Sequence, residues 1–457
     1  MNHPESPQTP PETVTLKQAF WYWLKLGFIS FGGPAGQIAI MHHDLVEKKR
    51  WISETRFLHA LNYCMLLPGP EAQQLAIYIG WLMHRNWGGI LAGTLFVLPS
   101  LLILIGLSWI YLAFGHLPAI AGILYGIKPA VTAIVVFAAY RIGSRVLKNS
   151  LLWIIAGLAF LTIFLFDVPF PLIVLVATLL GAIGGRFLPN RFTVGNHHGK
   201  AQKHFGPALI DDHTPIAEHA KFRWQALIRL IIVGLILWGA AIGFLCAHFG
   251  WNCDLTQMAW FFTKAAFLTF GGAYAVLPYV YQGAVEYYHW LTPHQMIDGL
   301  ALGETTPGPL IMVVTYVGFV AGWVKNLFGP DQLFLAGTTA ALVVTYFTFL
   351  PSFLFILAGG PLVESTHGNL KFTAPLTGIT AAVVGVILNL AVFFAYHVFW
   401  PQGLSAQFDV IAILISCIAL IALLRYKIGV ITVIIASGTT GLIISLIKPW
   451  LEQFIGF

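Results

Sequence analysis

Charge is scarce in this chain: Asp, Glu, Lys and Arg make up only 9% of its 457 residues, against 58% hydrophobic residues. A soluble domain carries about a quarter of its residues charged, and here the apolar runs are too many and too long for one buried core. Cysteine is equally sparse. Cys64, Cys246, Cys253 and Cys417 are scattered at spacings that fit neither a metal site nor a redox motif, so they read as packing residues. Also missing are a phosphate-binding loop, a dinucleotide fingerprint, a zinc-helix motif and a nucleophile elbow, which leaves ATP-driven pumping and covalent catalysis without a foothold. No cofactor and no metal is expected, and the chain does not read as an enzyme. The net charge of +6 sits at the ends of apolar segments instead of in one patch, so it bears on membrane orientation and not on nucleic acid.

What is present is lipid-soluble helix. Leu151 to Phe166, Leu172 to Gly185, Trp224 to Phe249, Val410 to Leu424 and Ile428 to Ile447 hold few or no charges, and the alternation of a transmembrane barrel is absent. The expected fold is all-α, a polytopic integral membrane protein in contact with the bilayer. Residues 1–15 are polar and proline-rich and read as a disordered tail that is not cleaved.

The chain also repeats itself. Shifted by 239 positions, "WYWLKLGFISFGG" (Trp21 to Gly33) meets "WFFTKAAFLTFGG" (Trp260 to Gly272) without a gap, Glu47 meets Glu286, Trp51 meets Trp290, and Pro68-Gly-Pro70 meets Pro307-Gly-Pro309. After a small slip, "VLPSLLIL" (Val97 to Leu104) resembles "FLPSFLFIL" (Phe349 to Leu357). Each unit reads as a segment broken at Gly-Gly, a segment broken at Pro-Gly-Pro and four ordinary apolar segments. The first repeat spans 16–187, a cytoplasmic linker 188–224, and an extra helix plus the second repeat 225–457. One extra crossing reverses the second unit, which predicts inverted-topology repeats. Lys48, Lys49, Arg50, Arg56, Arg85, Arg141, Arg145 and Lys148 fall with the basic linker on the cytoplasmic side if the broken segments re-enter, whereas "EYYHWLTPHQ" (Glu286 to Gln295) has no Lys or Arg, as an external loop should. Full crossings, about thirteen in all, would turn Lys48 to Arg50 outward, so re-entrant hairpins and a cytoplasmic N-terminus are preferred.

Proline and glycine at bilayer depth make sense as places where a helix unwinds and a half-helix begins. Such a start presents free N–H groups and the positive end of a dipole, an anion site without side-chain charge. The predicted substrate-binding set is Gly32, Gly33, Pro68, Gly69, Pro70, Gly271, Gly272, Pro307, Gly308 and Pro309, with hydroxyls from Thr305 and Thr306 and additional ones from Ser30 and Thr269. Lys25 and Lys264 each precede a Gly-Gly by seven residues, two turns away on one face. They read either as a pair of cations at the break or as side chains snorkelling to an interface beside Trp21, Trp23 and Trp260. Four breaks and two lysines converging would favour a compact dianion. The acids break the repeat, since Glu71 aligns with Leu310, Glu304 with Met65 and Asp298 with His59; Glu71 and Glu304 are the candidates for coupling proton and anion binding. Lys128, Arg141 and Arg145 line a route or snorkel. His197, His198, His204, His213 and His219, with Asp211 and Asp212, belong to a solvated linker, not a metal tract.

At "FGGPAGQIAIMH" (Phe31 to His42), "LLPGPEAQQLAIYIGW" (Leu66 to Trp81), "FGGAYAVLPYV" (Phe270 to Val280) and "TTPGPLIMVVTYVGF" (Thr305 to Phe319) the sequence resembles the chromate ion transporter family in its long, two-domain form. The resemblance implies export of chromate across a bacterial inner membrane and resistance to it. The residues alone say small oxyanion, sulfate included, carried by a secondary transporter or a channel, and they leave room for a homo-oligomer. A membrane enzyme acting on an anionic lipid or metabolite is the reading from another class.

Overall fold

The structure, a computed structural model, describes residues 11–192, 205–215, 217–365, 373–403, 405 and 407–455. Most of the expected tail, and the linker stretch with His197, His198 and His204, lie outside the described residues. Among the described residues the chain is helical, with one isolated β-bridge and no longer strand.

In the first unit, α1 (Leu16–Ile29) and α2 (Gly33–His42) flank the Gly-Gly break, and α3 (Glu54–Cys64) and α4 (Glu71–Phe114) flank the first Pro-Gly-Pro. The chain leaves helical geometry at His84 and Arg85 inside α4, so this element is a short inner arm folded against a long outer arm. Then come α5 (Pro118–Val146), α6 (Ser150–Phe166) and α7 (Phe170–Phe187), and, after the linker, the extra helix α8 (Trp224–Phe249). The second unit repeats the order: α9 (Asp254–Leu268) and α10 (Ala273–Tyr281), α11 (Pro293–Thr305) and α12 (Val313–Val324), then α13 (Leu333–Ser365), α14 (Thr373–Phe399), α15 (Val410–Leu424) and α16 (Val430–Ile455). Among the described residues seven helices, in α4, α5, α7, α8, α13, α14 and α16, are long and apolar enough to cross a membrane.

Local chemistry sets the boundaries, and it does so twice. Ser53 caps α3 by accepting from Arg56 N at 3.2 Å, and Thr292, its counterpart in the repeat, caps α11 by accepting from Gln295 N at 3.2 Å. Both α2 and α10 run on into a π-helical turn, His43–Lys48 and Gln282–Tyr287, which ends at a left-handed residue, Arg50 (φ 51) and His289 (φ 51).

Contacts between helix ends show how the broken pairs run. Near the linker, His84 Nε2 lies 2.8 Å from Val14 O, His219 Nε2 lies 3.1 Å from Trp81 O, and Arg56 pairs with Glu364 at 3.5 Å. The α1–α2 pair and the pair formed by α3 and the inner arm of α4 therefore enter and leave at the linker end. At the other end Phe170 N donates to Gln282 Oε1 at 3.1 Å, Trp290 Nε1 donates to Asp254 Oδ1 at 2.7 Å, and the Phe249 and Phe328 rings lie 6.0 Å apart. The α9–α10 and α11–α12 pairs belong there.

The two units interlock. In the first, α6 and α7 pack on α14 of the second; α15 and α16 of the second pack on α5 of the first. Small residues set these close approaches: a methyl group on Gly126 would lie 2.0 Å from Ser437 O, and one on Gly378 would lie 2.5 Å from Ala177 O. The linker differs from the solvated segment expected. Residues 205–215 dock on the loop before α3, where Ile210 N donates to Trp51 O at 3.0 Å, Ser53 Oγ donates to Asp212 Oδ1 at 2.5 Å and Arg56 Nη2 donates to Thr214 O at 2.6 Å. A loop that has left helical geometry has backbone groups to satisfy, and the linker satisfies them.

Lys48 and Tyr287 are equivalent in the repeat and both exposed. Single cysteines there, in a chain whose exposed Cys417 is replaced by serine, are expected to react with a membrane-impermeant maleimide from opposite faces of sealed vesicles. Labelling from one face would break the arrangement of the hairpins.

Candidate functional site

The breaks meet in crossed pairs. Gly308 N, in the second Pro-Gly-Pro, donates to Ser30 O beside the first Gly-Gly at 2.8 Å; Gly69 N, in the first Pro-Gly-Pro, donates to Thr269 O beside the second Gly-Gly at 2.7 Å. Ser30 and Thr269, and Gly69 and Gly308, are each related by the 239-residue shift, so the same bond is made twice with the units exchanged. Glycine is required at these two turns. Gly69 has φ 132 and Gly308 φ 96, and an added methyl would lie 2.5 Å from Ser352 Oγ and 2.9 Å from Ser100 Cβ, respectively. Ser100 and Ser352 come from the repeated Leu-Pro-Ser of α4 and α13, whose site role went unnoticed in the sequence although the repeat itself was legible.

At each break a helix begins. The first residue of α4 is Glu71, after Pro70, and α2 carries Pro34 in its first turn, where the missing N–H costs nothing. The second Pro-Gly-Pro enters α12 through a short 3₁₀ turn, Leu310–Met312. Each start leaves amides unpaired by its own helix and directs a dipole at its junction.

Around Gly308 these ends border a cavity of about 10 Å³, lined by Gly32, Gly33, Glu304, Thr306, Gly308 and Leu310 with Val430 and Ile431 of α16. That volume is about one water, so the junction is closed around its polar groups. Gln37 Nε2 donates to Ser30 O at 3.2 Å and to Gly308 O at 2.5 Å. Ser30 Oγ and Ser100 Oγ are buried without a hydrogen-bond partner among the described residues, an unusual condition inside a protein and one that leaves two hydroxyl donors unspent beside Gly308. Glu304 accepts a hydrogen bond from the Tyr274 hydroxyl of α10, and the charge of Arg141 on α5 acts on both. Tyr274 stands where the first unit has Ala35, so the repeat gave no signal for it.

Several expected members have their polar groups engaged otherwise or stand away from the cavity. Thr305 and Thr306 direct their hydroxyls back to Leu302 O at 2.7 Å and Gly303 O at 2.9 Å, and Thr269 directs its own to Ala265 O at 2.7 Å; these hydrogens are spent within the helix. Glu71 has no hydrogen bond or ion pair to another side chain among the described residues and does not line the cavity at Gly308. Asp298 pairs with Lys128 at 3.3 Å and accepts from Tyr111 at 3.0 Å, which makes Lys128 a partner of α11 and not a snorkelling residue.

Lys25 and Lys264 correct the expectation of a cation pair at the breaks. Both are exposed, on the outer stripes Trp21, Lys25, Phe28 and Trp260, Lys264, Phe267, and Lys264 Nζ sits 5.7 Å from the Trp260 ring centroid. The inner face of α1 is Tyr22, Trp23, Leu26 and Gly27. Two helical turns do preserve a face, but that face is the outward one, and the chain leaves helical geometry after Ile29 before reaching the glycines. Among the described residues no group of three His, Cys, Asp or Glu side chains is placed to hold a metal ion.

Comparison with known proteins bears on this arrangement. The family model described as "Chromate transporter" matches residues 17–182 and 256–442, one match in each unit. The chain is 30% identical over 436 residues to the chromate transport protein of Cupriavidus metallidurans, covering 93% of this chain and 94% of that one. To the chromate transport protein of Pseudomonas aeruginosa it is 32% identical over 439 residues, covering 94% and 93%. The uncharacterized transporter YwrA of Bacillus subtilis is 29% identical over 176 residues, which are 37% of this chain and 96% of that protein, so a chain of about one unit exists by itself. No solved structure matches. With both units matched and full-length relatives above this identity, the chain belongs to the chromate transporter family.

Proposed function

We propose that this protein is a secondary transporter that exports chromate across a bacterial inner membrane, with its N-terminus in the cytoplasm and its two units acting as inverted repeats that alternate access. The pair of crossed hydrogen bonds, Gly308 N to Ser30 O and Gly69 N to Thr269 O, carries this reading. A bond made twice with the units exchanged is what a pseudo-twofold axis passing between the two junctions would produce, and rocking one unit against the other about it would loosen one junction while tightening its twin. The half-helix starts and the unspent hydroxyls of Ser30 and Ser100 offer the donors that a tetrahedral dianion takes. Glu304, in the same cavity, competes with that dianion for the positive field, so that protonation of the carboxylate and anion binding favour one another. In the other junction Glu71 steadies the start of α4.

Everted membrane vesicles test this. They are expected to accumulate chromate several-fold above the outside concentration, to lose that accumulation on addition of an uncoupler, and to be slowed by excess sulfate. Equilibration without accumulation would indicate a channel and overturn the reading.

A further inference from the structure

A second feature is independent of the transport reading. Between α8 and the pair formed by the outer arm of α4 and α13 lies an open cleft of about 970 Å³. Its mouth, at the linker end, carries Arg85, Lys221, Arg223 and Arg229 against one carboxylate, Glu218, which pairs with Lys221 and Arg223. Arg85 and Arg229 have no carboxylate partner among the described residues, and both are exposed. Trp87 stands beside them at 75% exposure. Below the mouth the walls are apolar, through Val97 and Leu101 on one side and Val233 and Leu237 on the other. From Arg85 to Leu101 the wall runs about 24 Å along the helix, longer than the roughly 15 Å of hydrocarbon in one leaflet. A cationic, tryptophan-flanked mouth above an apolar slot of that depth matches one lipid class: a phosphate for the guanidinium groups, an acyl chain for the slot and a net negative charge. α8 leaves room for such a partner. Of its residues only Gly234 and Leu245 are buried, and Tyr346 Oη to Leu237 O at 3.1 Å is its polar tie to α13 at the floor of the cleft.

We propose that this cleft binds one anionic phospholipid, with Arg85 and Arg229 on its phosphate, and that the lipid fastens α8 to α4 and α13. The test is native mass spectrometry of the full-length protein exchanged into equal amounts of phosphatidylglycerol and phosphatidylcholine with matched chains. One retained phosphatidylglycerol, preferred at least tenfold, is expected, and millimolar inorganic phosphate should not displace it. Preference should fall to near unity in a double variant, Arg85→Gln with Arg229→Gln. Thr94→Trp, which fills the slot and leaves the charges in place, should lose the lipid altogether. Unchanged melting temperatures in phosphatidylcholine separate these losses from misfolding; a variant that melts lower is replaced by Arg85→Lys with Arg229→Lys, which must keep the tenfold preference. Equal retention of both lipids by the parent, retention by Thr94→Trp, displacement by free phosphate, or a lipid-free dimer joined through α8 would overturn the proposal.

Discussion

Gly308→Val is expected to reduce chromate accumulation in everted vesicles by at least about 100-fold, at unchanged protein level in the membrane. Its φ of 96 lies where a β-branched residue is an outlier, and its first side-chain carbon would lie 2.9 Å from Ser100 Cβ. Left-handed strain of about 1–2 kcal/mol adds to overpacking of about 1–3 kcal/mol, and about 2.7 kcal/mol is already a hundredfold in rate. The turn must therefore shift, and with it the bond from Gly308 N to Ser30 O. Gly308→Ala, which takes on the same contact without the β-branch, should lose less than Gly308→Val. Lys25→Gln, on the outer stripe, should transport within about twofold of the parent. A Gly308→Val protein working at a third of the parental rate or more would remove the crossed junction from the mechanism.

Glu304→Gln has the next largest effect, on pH dependence. Glu304 borders the cavity that also holds the start of α2 and the Gly308 turn. Two like charges about 4 Å apart repel by about 4 kcal/mol per pair of unit charges at an effective dielectric of 20, so a dianion enters readily only when this carboxylate carries a proton. Glutamine imitates that protonated form permanently. Between pH 6 and 8 the parental rate is expected to change by about tenfold, within the usual range of coupling energies, whereas the variant should change by less than twofold and should equilibrate chromate without concentrating it. Glu71→Gln, which leaves this cavity untouched, should keep the parental slope. If Glu304→Gln kept the slope and the uncoupler sensitivity, coupling would lie elsewhere.

The breaks, the helix order and the repeat were legible because each depends on a local requirement. Proline cannot donate, glycine alone takes the left-handed turns, and both recur at a fixed shift. The crossed pairing was not legible, because the shift says which residues are equivalent and not which meet; Gly308 meets Ser30 and not its own unit's Thr269. The lysines misled for a related reason. Periodicity places Lys25 and Lys264 on one face of their helices, but which face turns inward is decided by packing, here by Gly27 against Leu95 and Pro99. Hydroxyls were ambiguous in the same way: threonines bonded back to their own helices, while Ser30 and Ser100, alike in composition, kept their donors. Tyr274 and Arg141 are brought to Glu304 from α10 and α5 only by tertiary structure.

The exchange of helices between the units also constrains biosynthesis. The face of α5 around Gly122 and Gly126 is covered by α16 at Ser437, Gly441 and Ser445, so a nascent chain carries that surface bare until nearly its last helix has been made. Loss of α16 would thus injure the N-terminal half, and either half synthesised by itself would wait for a mate to complete its packing.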